Sequence, residues 1–357
     1  MKYKYWLNNI EGLGNVAKRK IIELFGSAEG FYNDFERRIE EIDFLNNIQL
    51  ENIKSARMEN LNEKYKVFAE FGEGMVTIED EEYPRNLLNV YDCPYGLYFL
   101  GNLPGEYDDM VAMVGARTCS SYGKLMAEEI ASELAANGFV VVSGMAKGID
   151  SASHWGCLNS GGRTIAVLGC GVDICYPAVN RNLYRRIIDN GCVISEFHHG
   201  SQPLPCQFPS RNRIISGMSN QLVVVEARKK SGSLITADFA LEQGKDIYAV
   251  SGRITDSMSE GCNRLIDQGA NIILSPKEFV ASLTEFDLST FVREKKPDKL
   301  DENERLIYDF IDYYPTSLEQ ILSDSQQDFF CVLSIINSLV DKGLIEEVFK
   351  NQYTKIN

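Results

Sequence analysis

Residues 110–123 have the sequence MVAMVGARTCSSYG. The five apolar residues Met110–Val114 predict a buried strand, and the glycine that follows them begins a loop of small and hydroxyl residues. The same order of apolar run, glycine loop and helix-length segment recurs to about residue 275. Apolar strands that alternate with helices indicate a parallel sheet covered on both faces. We therefore predict an α/β fold with a Rossmann-like, doubly wound, mostly parallel sheet.

The apolar runs and the segments between them divide the chain into domains. The runs predicted to form the sheet are Met110–Val114, Phe139–Val142, Thr164–Leu168, Cys192–Ile194, Gln221–Val225, Ile247–Val250 and Asn271–Leu274. The predicted organisation is a helical domain at 1–66, a connector at 67–109, the Rossmann-like domain at 110–285, a linker at 286–304 and a winged-helix-like domain at 305–357. The Gly-Leu-Gly turn at 12–14 fits a helix-hairpin-helix or SAM-like unit, but such turns more often simply join two helices.

Charge is distributed unevenly along the chain. The net charge of −15 argues against a nucleic-acid partner, because phosphate binding draws its affinity from Lys and Arg. The acidity lies at the two ends, however: residues 1–109 carry −9 and residues 276–357 carry −7, whereas residues 110–275 carry +1. The predicted core can therefore present a basic surface, while the acidic C-terminal domain is expected to be a protein-contact or packing module and not to bind DNA.

The cysteines and the hydropathy pattern predict a cytoplasmic protein. The nine cysteines are scattered and include no C-x-x-C pair, as expected for reduced thiols. No run of about 18 apolar residues predicts a membrane span, and the N-terminus lacks a signal-peptide pattern. His154, His198 and His199 have no partner at metal-ligand spacing, so neither a metal nor another cofactor is predicted.

Three loops that follow predicted strands have the composition of an anion-binding site. Ligands of parallel sheets bind beyond the carboxyl ends of the strands, where these loops lie. Small residues let backbone amides approach an anion, and the start of the next helix favours negative charge. The candidate binding residues of the three loops are Arg117, Ser121, Tyr122, Gly123, Ser143, Gly144, Lys147, Lys230, Ser231, Gly232, Ser233 and Thr236.

Residues 208–216, with the sequence FPSRNRIIS, form the most distinctive segment. Its candidate binding residues are Phe208, Arg211, Asn212 and Arg213. Arginine and asparagine contact phosphates and base edges, and a phenylalanine ring offers a face on which a base can stack. A competing interpretation is that one of the arginines only pairs with Glu196 or Glu226, each of which follows a predicted strand.

A dinucleotide cofactor and a catalytic site are not predicted. The loop GARTCS lacks the G-x-G-x-x-G fingerprint, and Ser143 stands where an acidic residue would bind a ribose. Asp150 and His154 could form an acid–base pair, but residues four apart more often share an ordinary hydrogen bond on a helix face. We therefore assign no catalytic residue from the sequence.

Taken together, these motifs resemble DNA-processing protein A, also called the Smf family. The resemblance runs from Tyr83 to Ile273 and includes GAR at 115–117, FPSRNR at 208–213 and SGSLITA at 231–237. It implies a non-enzymatic protein that binds single-stranded DNA and helps to load the RecA recombinase in recombination, DNA uptake and natural transformation of competent cells. It also implies a homodimer formed by the Rossmann-like cores. The residues that it implies for the binding pocket are Arg117, Lys147, Phe208, Arg211, Arg213 and the loop 231–236.

The sequence departs from the family pattern at several positions and leaves two other functions open. Ala116 stands where the family usually has Ser or Thr, and Lys147 where Arg is common, which suggests weaker strand binding. The alternative is an enzyme, a nucleoside-monophosphate phosphoribohydrolase of the lysine-decarboxylase-like Rossmann group. Its P-G-G-x-G-T loop is replaced here by SGSLIT at 231–236. A third possibility is an adaptor that acts through its acidic ends.

Overall fold

The computed structural model describes residues 1–105, 108–285, 302–311, 316–325, 327–342, 344–349 and 351–355. They form two compact units, Met1–Ala281 and Ser282–Asn357. Most of the linker predicted at 286–304 lies outside the described residues, and the finer domain boundaries stay a prediction. None of the helices in the described ranges is long and apolar enough to span a bilayer.

The first unit begins with the predicted helices. They are α1 (Lys2–Asn8), α2 (Asn15–Phe25), α3 (Ala28–Asp34), α4 (Asn47–Met58) and α5 (Leu61–Glu70). Asn46 begins α4 with a capping box, because its side chain accepts a hydrogen bond from the Gln49 amide and the Gln49 side chain bonds back to the Asn46 amide. The buried rings of Trp6, Phe31 and Phe35 pack together between these helices and supply the apolar core that short helices need for stability.

Among the described residues, one sheet of nine strands forms the centre of the first unit. The strands are β1 (Gly74–Thr77), β2 (Gly96–Gly101), β3 (Met110–Val114), β4 (Val140–Ser143), β5 (Thr164–Val167), β6 (Gly191–Ser195), β7 (Gln221–Val224), β8 (Asp246–Val250) and β9 (Asn271–Ile273). Their order is β1-β2-β6-β5-β4-β3-β7-β8-β9. Strands β3 to β9 pair in parallel, and β2 and β1 extend the sheet with antiparallel pairing. The predicted Rossmann-like, mostly parallel sheet is confirmed.

Helices cover the sheet between its strands. They are α6 (Ser121–Ala136), α7 (Ile149–Asn159), α8 (Arg181–Asn190), α9 (Gln207–Met218), α10 (Gly232–Glu242), α11 (Glu260–Asp267) and α12 (Pro276–Glu285). Short 3-10 helices lie at Ile39–Glu41, Arg85–Asn89 and Ala178–Asn180. Within β5, Ile165 packs in one apolar cluster and Ala166 in another, so both faces of the strand are buried. Burial on both faces is why the parallel strands have nearly continuous apolar sequences.

The direction in which the chain crosses the sheet reverses at β3. From β3 the chain proceeds through β4, β5 and β6 on one side, and it then returns to add β7, β8 and β9 on the other side. Strand β3 therefore lies between β4 and β7, and the loops that follow β3 and β7 diverge at its carboxyl end. Such a switch point leaves a crevice in which ligands of doubly wound sheets bind.

The second unit is a small mixed fold. Its elements are α13 (Glu302–Asp309), β10 (Thr316–Ser317), α14 (Leu318–Ser325), α15 (Phe329–Asp341), β11 (Ile345–Phe349) and β12 (Gln352–Lys355). Strand β12 pairs with both β10 and β11 in an antiparallel sheet. Ile307, Ile321, Ile336 and Ile345 are fully buried and form its core. The three helices are followed by a terminal hairpin, and the winged-helix assignment stays a prediction.

Candidate nucleic-acid interface

A cavity of about 520 Å³ opens at the switch point, at the carboxyl edge of the sheet. Its walls are the loops after β3, β4, β5 and β7, the first turns of α9 and the start of α10. It lies in the size range of sites that bind small molecules or single nucleotides. The candidate residues from the sequence that line it are Arg117, Phe208, Arg211, Asn212, Lys230, Ser231, Gly232, Ser233 and Thr236.

An aromatic pair with a cation beside it forms one wall of the cavity. The ring of Phe208 lies 5.4 Å from the ring of Tyr176, at an interplanar angle of 35°. The guanidinium carbon of Arg117 lies 5.6 Å from the centroid of the Phe208 ring, within cation–π range. Phe208 is half-buried, whereas Tyr176 and Arg117 are exposed. The wall thus combines a fixed aromatic face with a positive charge that solvent can reach.

Arg211 lies beneath this wall as a buried positive charge. Its Nη1 donates hydrogen bonds to the carbonyl oxygens of Gly144, at 2.8 Å, and of Val167. Burial lowers the pKa of Arg211 to about 10, and nearby Asp150 opposes this effect, so the guanidinium stays charged at neutral pH. A Cβ atom at Gly144 would lie 2.5 Å from Nη2 of Arg211, which explains why a glycine stands there.

Arg213 lies outside the cavity and is held by two carboxylates. Its Nη2 donates to both oxygens of Glu196, at 2.9 and 3.0 Å, and its Nε donates to Asp92 at 2.7 Å. Burial by itself would lower the pKa of Arg213, but Glu196 and Asp92 more than offset burial and raise it. The ion pair with Glu196 that the sequence suggested is therefore present for Arg213, and a role for Arg213 in strand binding stays a prediction.

Several other candidate residues also lie outside the cavity. They are Ser121, Tyr122, Gly123, Ser143, Gly144 and Lys147. The buried hydroxyl of Ser143 donates to the carbonyl of Met113, which joins β4 to β3. A Cβ atom at Gly123 would lie 2.2 Å from the carboxyl carbon of Glu226, so this glycine makes room for that side chain. Tyr122 and Lys147 are exposed on the loops, and a role for these residues in binding stays a prediction.

Glu226 and the serine caps fix the two loops that flank the switch point. The carboxylate of Glu226 accepts hydrogen bonds from the amide of Ser120, at 2.9 Å, and from its hydroxyl. Ser120 in turn caps α6 through the amide of Gly123, and Ser231 caps α10 at the cavity wall. Glu226 therefore accepts hydrogen bonds from the loop after β3 and is not paired with Arg211 or Arg213 among the described contacts. The amide groups at the start of α10 offer a site for an anion.

Asp150 and His154 do not form an acid–base pair. Asp150 accepts a hydrogen bond from the amide of Ala146, and Nδ1 of His154 lies 2.6 Å from the hydroxyl oxygen of Thr164. That hydroxyl donates to the carbonyl of Val141, so Nδ1 must carry the proton of the His154 ring. Burial, with a contribution from Arg211, lowers the pKa of His154 to about 3. His154 is therefore a neutral core residue at physiological pH.

Sequence reasoning missed two prominent side chains of the cavity. They are Arg228, which is exposed, and Tyr176, whose ring lies beside that of Phe208. Arg228 belongs to the same basic run as Lys230, so its charge was a usable signal. Tyr176 comes from the loop after β5, and nothing in its local sequence indicated that this loop reaches α9.

Comparison with known proteins identifies the family. Residues 74–284 match the family model of DNA recombination-mediator protein A. The chain belongs to this family. The match runs from β1 to α12, so every wall of the cavity lies within the part of the chain that defines the DNA recombination-mediator protein A family.

Individual relatives agree with this assignment. The DNA processing protein DprA of Streptococcus pneumoniae is 42% identical over 222 residues, which cover 62% of this chain and 77% of that protein. Protein Smf of Synechocystis is 35% identical over 301 residues, which cover 82% of this chain and 75% of that protein. An X-ray structure of the Streptococcus pneumoniae protein superposes with a TM-score of 0.71 at 36% identity, covering 79% of this chain and 97% of that one.

A second solved structure comes from Helicobacter pylori. It is described as giving the single-stranded DNA binding mode of DNA processing protein A from that organism. It superposes with a TM-score of 0.53 at 29% identity and covers 59% of this chain and 96% of that one. This chain therefore shares its fold with a relative whose described ligand is single-stranded DNA.

Proposed function

We propose that this chain binds single-stranded DNA in the cavity at the switch point of its sheet. The observation that carries the proposal is the half-buried ring of Phe208, which contacts both Tyr176 and Arg117 in a cavity that the start of α10 also lines. Proteins that bind single strands combine a basic groove with aromatic faces on which bases stack. The described ligand of the Helicobacter pylori relative supports the same partner.

The residues of the cavity divide into two groups by the part of the strand that they would contact. Arg117, Arg228 and Lys230 are exposed cations and suit phosphate groups, which carry charge but no sequence information. Phe208 and Tyr176 suit the faces of unpaired bases. A duplex keeps its base faces stacked, so it could use the cations but not the rings. We therefore expect single strands to bind more tightly than duplexes.

The experiment that tests this proposal measures fluorescence anisotropy of a labelled oligonucleotide, single-stranded and duplex, across a salt series. Arg117→Ala should weaken binding and make the log-log salt dependence shallower by about 0.7, because one phosphate contact is lost. Phe208→Ala should cost roughly 1–3 kcal/mol of binding energy with the salt slope unchanged, because it removes stacking. Arg37→Ala is the matched control for Arg117→Ala, and Tyr91→Ala is the matched control for Phe208→Ala, because Arg37 and Tyr91 are exposed and lie outside the cavity.

Two results would contradict the proposal. One is duplex affinity equal to single-strand affinity in the wild-type chain. The other is an Arg117→Ala variant that behaves like Arg37→Ala, since the loss of one exposed arginine would then matter equally inside and outside the cavity.

We further propose that the bound strand is delivered to the RecA recombinase in the cytoplasm and that the chain acts as a homodimer formed by its cores. Membership of the recombination-mediator family supports this role, in general recombination or in natural transformation. Light scattering of the full chain at micromolar concentration should give the mass of two chains. RecA filaments should form faster on a strand preincubated with the wild-type chain than on one preincubated with Phe208→Ala.

We propose no enzymatic activity for the cavity. The loop at 231–236 lacks the glycine pattern of the phosphoribohydrolases, and the side chain of Glu226 is engaged by Ser120. Incubation of the wild-type chain with nucleoside monophosphates should release no free base. Release of a base that depends on Glu226 would favour the enzyme instead.

A further inference from the structure

Three side chains with metal-ligand chemistry meet outside the cavity, although they are far apart in the sequence. They are Glu73, Asp173 and His199, and one ligand atom from each lies within 4.8 Å of the other two. Glu73 immediately precedes β1, Asp173 lies in the loop after β5, and His199 lies in the loop between β6 and α9. The fold therefore brings three separate segments to one point, which we call the His199 cluster.

The His199 cluster is held in place by contacts of its own members. Nδ1 of His199 lies 2.5 Å from Oε1 of Glu73 and 3.8 Å from Oδ1 of Asp173. The ring of Phe71 stacks on the imidazole at 3.7 Å and 8°, which fixes the plane of the imidazole. Oδ1 of Asp173 accepts a hydrogen bond from the amide of Gly200 at 2.9 Å, which orients the carboxylate. Two of the three ligands are thus oriented by the protein itself.

One buried carboxylate oxygen of the His199 cluster has no hydrogen-bond partner among the described residues. The side chain of Glu73 is 2% exposed, and among the described residues its Oε2 has no hydrogen-bond partner. Buried carboxylate oxygens are normally hydrogen-bonded, paired with a cation or bound to a metal. A divalent cation held by both carboxylate oxygens of Glu73 would give Oε2 a partner.

We propose that Glu73, Asp173 and His199 bind one divalent transition-metal ion of the Zn²⁺ or Mn²⁺ class. One imidazole nitrogen with carboxylate oxygens suits these ions, and the absence of a thiolate from the cluster keeps Mn²⁺ in the range of candidates. Ligand bonds of about 2.1 Å in a tetrahedral arrangement put neighbouring ligand atoms about 3.4 Å apart. The separations of 2.5 and 3.8 Å from Nδ1 of His199 lie on either side of this value, and all three ligand atoms lie within 4.8 Å of one another, so binding requires side-chain adjustments and no rearrangement of the backbone.

The position of the ion gives it a structural role. It would tie the start of β1 and the loop after β5 to the loop that leads into α9. That helix carries Phe208 and Arg211, but the ion itself lies among residues that do not line the cavity. It is therefore expected to stabilise the fold, whether or not the cavity binds DNA.

The test is a calorimetric titration of the full-length chain, stripped with EDTA, with Mn²⁺ and then separately with Zn²⁺. Mn²⁺ is the primary probe because the nine cysteines compete for Zn²⁺ but bind Mn²⁺ poorly. We expect one Mn²⁺ per chain and a rise in the melting temperature. Glu73→Gln and His199→Ala should each weaken Mn²⁺ binding at least tenfold and abolish the rise in melting temperature.

The neighbouring histidine provides a matched control. His198 is exposed, and its ring contacts the carbonyl of His199 and not the carboxylates, so His198→Ala should bind Mn²⁺ like the wild-type chain. If Glu73→Gln fails to fold, as far-UV circular dichroism would reveal, Asp173→Asn gives the same comparison at a partly exposed position. The proposal is overturned if the wild-type chain binds neither ion stoichiometrically, or if His199→Ala binds both as well as the wild type does. The cluster would then be held by the contacts among its own side chains alone.

Discussion

Replacing Arg213 with glutamine is expected to destabilise the first unit without removing a contact to DNA. The guanidinium is 5% exposed and pairs with Glu196, whose side chain is 17% exposed, and with Asp92, whose side chain is 49% exposed. Removing one partner of a buried ion pair typically costs about 3–5 kcal/mol, because the other charge stays buried without compensation. Asp92 can be hydrated, and Glu196 keeps a hydrogen bond from Nδ2 of Asn15 at 2.6 Å. We therefore expect a loss near the lower end, about 3 kcal/mol.

The assay is urea unfolding of the wild type, Arg213→Gln, Glu196→Gln and the double variant at constant pH and salt. The double variant should be more stable than the sum of the two single losses predicts, with a coupling energy of about 1–3 kcal/mol, because it leaves no charge unpaired at Glu196. Arg117→Gln is the matched control, since Arg117 is exposed and its loss should change the free energy of unfolding by less than about 0.5 kcal/mol.

Two results would refute this reasoning. The first is a loss of less than about 1 kcal/mol for Arg213→Gln, which would mean that the pairs with Glu196 and Asp92 contribute little. The second is a fully folded Arg213→Gln variant with a shallower salt dependence of strand binding, like that expected for Arg117→Ala. That result would return Arg213 to the group of residues that contact phosphate.

Three further predictions concern pH, packing and the second unit. Burial lowers the pKa of His154 from 6.5 to about 3 in the folded chain. Below pH 6.5 the unfolded chain therefore binds a proton that the folded chain does not, and the free energy of unfolding falls by up to about 1.4 kcal/mol per pH unit as the pH decreases from 6.5 towards 3. Urea unfolding between pH 7 and 4 should show this dependence in the wild type and not in His154→Gln. Gly144→Ala should cost about 1–3 kcal/mol of stability and weaken strand binding, because its Cβ would displace the Arg211 guanidinium; a wild-type melting temperature would contradict this. Deletion of residues 286–357 should leave strand affinity in the anisotropy assay unchanged, because these residues carry a net charge of −6. A collapse of affinity would assign strand contacts to the second unit.

The sequence by itself determined the parallel part of the sheet, β3 to β9, and the position of the cavity. The predicted runs agree with β3 to β9 to within two residues at their ends, because strands buried on both faces are continuous apolar runs that loops interrupt sharply. The edge that holds the cavity followed from the same pattern, since all parallel strands present their carboxyl ends, and the loops with Arg117 and Ser231, at one edge. Both inferences depend only on local order along the chain.

The roles of identical residue types were decided only by the tertiary structure. Arg211 and Arg213 lie two positions apart on α9, so their side chains project about 200° apart around the helix axis. The guanidinium of Arg211 donates to the carbonyl of Gly144 beneath the cavity, whereas the guanidinium of Arg213 pairs with Glu196 outside the cavity. In the same way, Glu73 and His199 are 126 positions apart and meet only because β1, the loop after β5 and the loop before α9 converge. Side-chain partners are set by packing between distant segments, and no local sequence pattern encodes that distance.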